Sequence, residues 1–262
     1  MASKTCECTE TVNSTETSSC VLRIGDSCLI VGHRMSELMG HAPILEEDLS
    51  IANIALELVD QSRAWLTLAG KLEGKGRDED ALAYERAEHQ FFNATLAEQP
   101  NGHFGDTVAR QLMFSGWQKT WYAAATQSTD KEIGRLAKRF LPQAEFHWLW
   151  ASEWTVRLGD GTDLSHERMQ TSIESLWKFT GELFQSDALD EQSAATGLLP
   201  LPEDLYKDWH STIVETLEQA RLNVPGEPTL RWFGKRGEHG EELGLLLAEM
   251  QSLARAHPGV QW

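Results

Sequence analysis

The sequence has few basic residues for its 262-residue length. Lys and Arg total 23 against 40 Asp and Glu, so the formal net charge is −17. A surface of that sign repels phosphate backbones and anionic lipid head groups, which argues against general binding to nucleic acid or to membrane surfaces. The charge leaves room for a basic protein partner and for ligands that enter a local basic pocket.

Long apolar runs are also absent. No run approaches the roughly 20 residues that a helix needs to cross a bilayer. Residues 1–13 lack the apolar core of a signal peptide. We therefore expect a soluble, cytoplasmic protein that has no membrane-spanning segment.

Cysteine is scarce and confined to the amino-terminal end, at Cys6, Cys8, Cys20 and Cys28. No second Cys pair or His pair lies at ligand spacing from the first two, so a thiolate metal site is not indicated. Residues 1–20 are rich in Ser, Thr and Glu and poor in large apolar side chains. That composition predicts a disordered tail, followed by a single helical domain over residues 21–262.

Signals for β-strands are nearly missing, because no sustained alternation of apolar and polar residues occurs. Apolar residues instead recur at spacings of three and four, which predicts a series of helices. Their predicted ranges are 21–39, 42–70, 79–96, 107–126, 130–158, 165–184, 202–222 and 241–256. Pro142 predicts a kink within the fifth helix. The fold class is therefore predicted to be all-α, an antiparallel bundle with additional carboxyl-terminal helices.

The helix predicted over residues 42–70 carries an apolar face and an unusual carboxylate. The face consists of Leu45, Leu49, Ala52, Leu56 and Val59. Glu57 lies between two leucines of the same run, where burial is costly unless a partner pairs with the charge. Two interpretations stay open: Glu57 belongs to a polar stripe with Asn53, Asp60 and Gln61, or it is a metal ligand or buried ion-pair member in a bundle.

A di-iron bundle needs a lone Glu on each of two helices and a Glu-x-x-His on each of two others. None of the nine histidines has a Glu three residues before it. The nearest arrangements place Glu85 and Glu88 before His89, and Gln143 one turn before His147. Since Gln143 is a neutral and poor ligand for iron, we predict that this chain binds no metal.

Several blocks in order along the chain are similar to a known family. They include RIGDSCLIVGHRMSELMGHAP, IANIALELVDQSR, DEDALAYERAEHQFFN, AEQPNGHFGDTVARQ, RLGDGTD, LWKFTGELF, LNVP and the final GKRGEHGEELGLLLAEMQSLARAHPGVQW. In these blocks the chain resembles the PaaC-type subunits of bacterial ring-1,2-phenylacetyl-CoA epoxidases, from about residue 22 to residue 262. The resemblance implies a ferritin-like bundle that keeps the architecture of a di-iron protein without its metal.

The resemblance also implies a function. In that family a homologous catalytic subunit holds the di-iron centre, a reductase supplies electrons from NADPH, and phenylacetyl-CoA is the substrate in phenylacetate breakdown. The PaaC-like chain would be the non-catalytic structural partner and would bind no cofactor of its own. Two alternatives stay open. One is a divergent di-metal oxygenase using Glu57, Glu85, Glu88, His89 and His147. The other is a stand-alone module that binds an acyl-CoA.

Two sites follow from the resemblance. Glu57 matches an acidic position that faces the catalytic subunit and takes part in a carboxylate–lysine network. The second site, a contact with the CoA ester, comprises Gln90, Phe91, Phe92, Asn93, Glu191, Gln192 and Ser193. Aromatic rings beside amides suit an adenine ring, although Phe91 or Phe92 equally fits a core position.

Two further features accompany these sites. The stretch Phe233–Gly240 is interpreted as an ordered turn or interface loop, with a contact to a CoA phosphate as the alternative. Among the ten tryptophans, we expect some members of the group Trp148, Trp150 and Trp154 to lie at a subunit interface.

Overall fold

The computed structural model describes residues 13–228 and 234–260, and within these ranges it contains helices and no strand. The α-helices are α1 (Ser14–Ser36), α2 (Leu45–Glu73), α3 (Glu79–Tyr84), α4 (Thr95–Glu98), α5 (Phe104–Ala125), α6 (Lys131–Gly159), α7 (Asp163–Trp177), α8 (Ala188–Ala195), α9 (Pro202–Gln219), α10 (Glu241–Met250) and α11 (Ser252–Ala256). Three short 3₁₀ turns lie at residues 88–90, 180–184 and 234–236. The predicted all-α class is confirmed.

Helices α1 and α2 form an antiparallel pair. Ser18, near the start of α1, donates a hydrogen bond of 2.8 Å to the carbonyl of Ala69, near the end of α2. Gly32, in the last turns of α1, lies against Leu58 in the middle of α2, and a Cβ at Gly32 would come within 3.3 Å of the Leu58 Cβ. The missing side chain therefore lets the two helices approach closely.

Helices α5 and α6 form the second antiparallel pair. Phe104 at the start of α5 packs edge-on against Trp154 near the end of α6, with ring centroids 5.0 Å apart. Tyr122 near the end of α5 lies against Phe140 in the first half of α6. Pro142 lies inside α6, which is assigned as one continuous helix, and the predicted kink there stays a prediction. The two pairs pack around a common core, against which α7 and α9 also pack.

The amino-terminal helix begins earlier than predicted. A capping box starts α1, because the Asn13 side chain accepts from the Glu16 backbone N–H and Glu16 accepts from the Asn13 N–H, at 3.0 and 2.8 Å. Thr17, Ser18 and Cys20 are buried. The prediction of disorder over residues 1–20 is therefore wrong for residues 14–20, and residues 1–12 lie outside the described ranges.

The single helix predicted over residues 79–96 is also wrong. Helix α3 ends at Tyr84, and the chain then runs through a short 3₁₀ turn and extended residues before α4. Asp26 of α1 holds this segment: it pairs with the Arg86 guanidinium and accepts a hydrogen bond of 2.9 Å from the Phe92 N–H. A buried carboxylate from another helix thus replaces the helical hydrogen bonds that local sequence favours.

Other boundaries shift by smaller amounts. The helix predicted over residues 165–184 ends at Trp177 and continues as a 3₁₀ turn, and the last predicted helix is divided at Gln251 into α10 and α11. Helix α8 has no counterpart among the predicted helices; Asp187 caps it by accepting from the Leu189 and Asp190 N–H groups. Among the described residues, no helix combines the length and apolar character that crossing a bilayer requires.

Candidate functional site

A network of neutral polar side chains fills the centre of the bundle. Gln118 of α5 donates to the Gln61 side-chain oxygen at 2.9 Å, and the Tyr122 hydroxyl donates to the same oxygen at 3.0 Å. Gln61 in turn donates to Gln143 of α6 at 2.9 Å. The Cys28 thiol of α1 lies 3.1 Å from the Gln118 amide. Each helix of the two antiparallel pairs contributes a member.

The groups of this network that can ionise stay protonated. Burial raises the pKa of the Cys28 thiol to about 12, and burial likewise raises the pKa of the Tyr122 hydroxyl well above its ordinary value. Amides, a thiol and a phenol offer no anionic ligand, whereas iron in such bundles is held by carboxylates and imidazoles. These residues do not fit a di-iron centre, and within the described ranges no group of three or more His, Cys, Asp or Glu is arranged to hold a metal.

Glu57 pairs with His147 across the α2/α6 interface. The Glu57 Oε2 lies 2.8 Å from Nε2 of His147, whose ring is fully buried and whose Nδ1 has no partner among the described residues. The Glu57 side chain is 36% exposed. One edge of the carboxylate is therefore held inside the protein while the other reaches the surface, so Glu57 belongs neither to a purely solvated stripe nor to a closed buried pair.

The remaining residues of the di-metal alternative lie elsewhere. Glu85, Glu88 and His89 are exposed on the segment that follows α3. The structure therefore joins only Glu57 and His147 of that proposed ligand set.

Helices α2 and α6 both expose apolar residues close in sequence to Glu57 and His147. We define the α2/α6 surface as the exposed residues Leu49, Leu56 and Val59 of α2 with Phe146 and Leu149 of α6. Leu56 is 67% exposed and Phe146 is 50% exposed. These α2 residues belong to the apolar face predicted from the sequence, and that face is turned to solvent.

The opposite face of α2 enters the core. It carries the buried residues Ile51, Ile54, Ala55, Leu58, Gln61, Ser62, Trp65, Leu66 and Ala69. Next to the α2/α6 surface, the indole N–H groups of Trp150 and Trp154 both donate to one oxygen of Glu47, each at 2.8 Å. Trp148 is half-buried beneath the Lys119 ammonium, which lies 3.9 Å from its ring centroid.

The residues predicted to contact a CoA ester divide into two groups. Phe91 and Asn93 are fully buried, and the Arg86 guanidinium lies over the Phe91 ring at 4.1 Å. Gln90 and Glu191 are exposed, and Gln192 is partly exposed. Phe92 and Ser193, from separate segments, line one cavity of about 70 Å³ between α1, α5 and α8. The structure brings these two together, and their contact with a CoA ester stays a prediction.

The cations near this cavity already have carboxylate partners. Lys235 pairs with Asp190, and Arg23 binds Asp187 and Asp190, each at 2.6 Å. Burial works to raise the pKa of Asp187, but the hydrogen bond and charge of Arg23 outweigh it and lower that pKa to about 2. Because the charges cancel in pairs, this end of the cavity does not favour a phosphate.

The segment that contains Lys235 is well packed. Its 3₁₀ turn at Gly234–Arg236 lies against the core, where the Lys235 N–H donates to the Glu182 carboxylate at 3.2 Å. This agrees with an ordered turn, while Phe233 lies outside the described residues.

Sequence reasoning does not identify the amide network. The sequence pattern predicts that Gln61 lies on a polar surface stripe with Glu57. It identifies Gln118 and Tyr122 only as residues of a helix rich in aromatic side chains. The available signal is that Gln61 and Gln118 lie within long helices and that most of their neighbours one turn away, among them Leu58, Trp65, Phe114 and Trp121, are apolar or aromatic. Such a glutamine needs partners that come from other helices, so only the fold shows where its hydrogen bonds go.

Comparisons with known proteins agree on one family. The model of the phenylacetic acid catabolic protein family, whose members are ferritin-like helical bundles, matches residues 3–262. The chain is 43% identical over 241 residues to the C component of 1,2-phenylacetyl-CoA epoxidase from Escherichia coli strain K12, an alignment that covers 92% of this chain and 97% of the relative. The resemblance identified in the sequence is confirmed, and the chain belongs to the phenylacetic acid catabolic protein family.

Proposed function

We propose that this chain is a subunit of a multicomponent phenylacetyl-CoA 1,2-epoxidase and that it is the non-catalytic partner of the subunit that carries the di-iron centre. The relative from Escherichia coli is a subunit of such an enzyme and aligns over nearly its whole length. A cytoplasmic complex with a reductase, acting on phenylacetyl-CoA, follows from the same proposal.

The observation that carries the non-catalytic role is the chemistry of the bundle centre. Gln118 donates to Gln61 there and Gln61 donates to Gln143, so the space between the helices is occupied by amides that hydrogen-bond within the protein. The network links α2, α5 and α6 by hydrogen bonds between their side chains. It supports a chain whose task is to hold its own shape and to stabilise a neighbour.

The α2/α6 surface is the proposed site of contact with the catalytic subunit. It combines five exposed apolar side chains with Glu57, a carboxylate that has one internal partner, His147, and is partly exposed. An interface buries apolar side chains at its centre and needs a partner for each charge that it encloses. A lysine of the catalytic subunit would supply that partner for Glu57.

The test is co-expression with the catalytic subunit of the same organism. We expect the isolated chain to contain substoichiometric iron and to show no O₂-dependent turnover of phenylacetyl-CoA. The pair should co-elute as a stable complex that has iron only in the catalytic chain. Stoichiometric iron in the isolated chain together with turnover would reject the proposal in favour of the di-metal oxygenase.

Calorimetry of the isolated chain with CoA separates the remaining alternative. Weak or absent binding is expected, because the cations beside the cavity are paired with Asp187 and Asp190. Tight binding without the catalytic subunit would favour the stand-alone acyl-CoA module. If CoA binds only to the complex, substitution of Gln90 and Phe92 then tests their predicted contact.

A further inference from the structure

The cavity between α1, α5 and α8 shares no lining residue with the amide network or the α2/α6 surface, although Trp121 of its lining packs against Tyr122 of the network. Its floor is formed by buried side chains, among them Ile24, Trp117 and Trp121. Its rim is formed by the partly exposed Phe92 and Leu199. A cavity with a buried aromatic floor and a rim that reaches solvent has the form of a small-molecule site.

The size and lining select the kind of occupant. The volume of about 70 Å³ is several times the roughly 10–15 Å³ that one water molecule needs and about half of the roughly 150 Å³ of a closed cavity that holds benzene, so a ring would fill it and extend past the rim. The lining is mainly aromatic and aliphatic, which disfavours a cluster of waters because each water requires two to four polar partners. A single small organic molecule fits both constraints better.

The charged groups at one end of the cavity have their bonds within the protein. Lys235 pairs with Asp190, and Arg23 is bound to that same carboxylate. The buried Glu182 carboxylate accepts from the Thr95 N–H and hydroxyl at 2.9 and 2.5 Å. A charged ligand would have to break one of these pairs, at the cost of leaving a buried charge without a partner. An uncharged ligand breaks none.

Two polar groups of the cavity lining, the Trp117 indole N–H and the Ser193 hydroxyl, are buried without a hydrogen-bond partner among the described residues. Buried polar groups are nearly always hydrogen-bonded, so an orphan donor on the wall of a cavity points to an acceptor from outside the chain.

We propose that this cavity is a binding site for a small, uncharged molecule about the size of one aromatic ring, which carries a hydrogen-bond acceptor that binds the Trp117 indole. The ring lies among Phe92, Trp121 and the aliphatic lining, and the acceptor reaches the indole N–H. The proposal shares Phe92 with the predicted CoA-ester contact but uses no residue of the α2/α6 surface, so it can be tested without the catalytic subunit.

Ligand-observed NMR on the full-length chain tests the proposal, with benzyl alcohol, toluene and benzoate as probes. Benzyl alcohol carries the acceptor, toluene has the ring without it, and benzoate adds a charge. We expect benzyl alcohol to bind saturably and more tightly than toluene, and benzoate to bind weakest. Trp117→Phe should weaken benzyl alcohol binding by roughly three- to tenfold, the usual effect of losing one hydrogen bond, while toluene binding is unchanged.

Two further variants control the experiment. Trp148→Phe removes another indole N–H without a partner among the described residues, outside the cavity lining, and should change neither affinity. Leu199→Trp fills the rim and should abolish binding of both neutral probes. The proposal is overturned if benzyl alcohol does not bind saturably, if Trp117→Phe and Trp148→Phe weaken it equally, or if binding survives Leu199→Trp. Equal loss of benzyl alcohol and toluene in Trp117→Phe would also overturn the assigned hydrogen bond.

Discussion

His239 connects the carboxyl-terminal segment to the core. Its Nδ1 lies 3.1 Å from the Glu98 carboxylate, and its Nε2 lies 2.9 Å from the carbonyl oxygen of Phe91. A carboxylate oxygen and a carbonyl oxygen both accept hydrogen bonds, so this arrangement favours the imidazolium, in which both ring nitrogens donate. Burial works against that charge, but the bonds to Glu98 and Phe91 outweigh it and raise the pKa of His239 above its ordinary value.

Stability should therefore depend on pH through His239. Because the pKa of His239 is raised in the folded state, its contribution to the free energy of unfolding is fully present below the unfolded-state pKa, about 6.5. That contribution is lost as the pH rises through the folded-state pKa. We expect the difference in unfolding free energy between the parent chain and His239→Gln to be largest near pH 6 and to shrink above neutrality. Urea unfolding at a series of pH values measures it.

His33 provides a control of opposite sign. Burial lowers the pKa of His33, so its contribution is lost as the pH falls below about 6.5. The parent chain should lose stability relative to His33→Gln on acidification. If both variants follow the same pH trend, the imidazolium assignment for His239 is wrong.

At the scale of the element, α2 has two apolar faces that meet different surroundings. Ile54 and Leu58 are fully buried against the core, whereas Leu49 and Leu56 are exposed. A helix with apolar residues on both faces normally lies inside a larger assembly. Among the described residues no element covers the second face, which is why we propose that the catalytic subunit covers it.

Leu56→Asp separates the roles of these two faces. Because Leu56 is exposed, the thermal midpoint of the isolated chain should change little, while the apparent affinity for the catalytic subunit should fall by about tenfold or more when a carboxylate enters an apolar interface. Size-exclusion chromatography with light scattering and a binding titration measure the two effects.

Leu164→Asp is the matched control, since Leu164 is similarly exposed but belongs to α7 and not to the α2/α6 surface. It should leave both the midpoint and the affinity unchanged. An unchanged affinity in Leu56→Asp, or an equal loss in Leu164→Asp, would contradict the assignment of the α2/α6 surface to the interface.

For the whole molecule, the stability of the bundle should depend on the first turns of α1, residues 14–20. A chain that begins at Asn13 keeps the capping box and every described contact of α1. A chain that begins at Val21 loses the cap, the hydrogen bond from Ser18 to Ala69 and the buried side chain of Cys20. We expect the free energy of unfolding of the shorter chain to be lower by roughly 2–4 kcal/mol, the sum of these three losses.

Urea unfolding followed by circular dichroism compares the two chains under the same conditions. The chain that begins at Asn13 serves as the reference for the shorter one. Equal midpoints would show that residues 14–20 contribute nothing to the bundle and would restore the sequence-based boundary.

The sequence by itself determined the helical class and the positions of α2, α5 and α6 to within three residues, because the spacing of apolar side chains along a helix is a local property. It also determined the family, through blocks spread over nearly the whole chain. Only the tertiary structure decided which apolar face of α2 enters the core, since periodicity marks a face without saying what covers it. The tertiary structure also brings Glu57 into contact with His147, 90 positions away. Residues 85–94 leave the predicted α-helix because the Asp26 carboxylate binds Arg86 and Phe92. Those outcomes depend on partners distant in the chain, which no local pattern specifies.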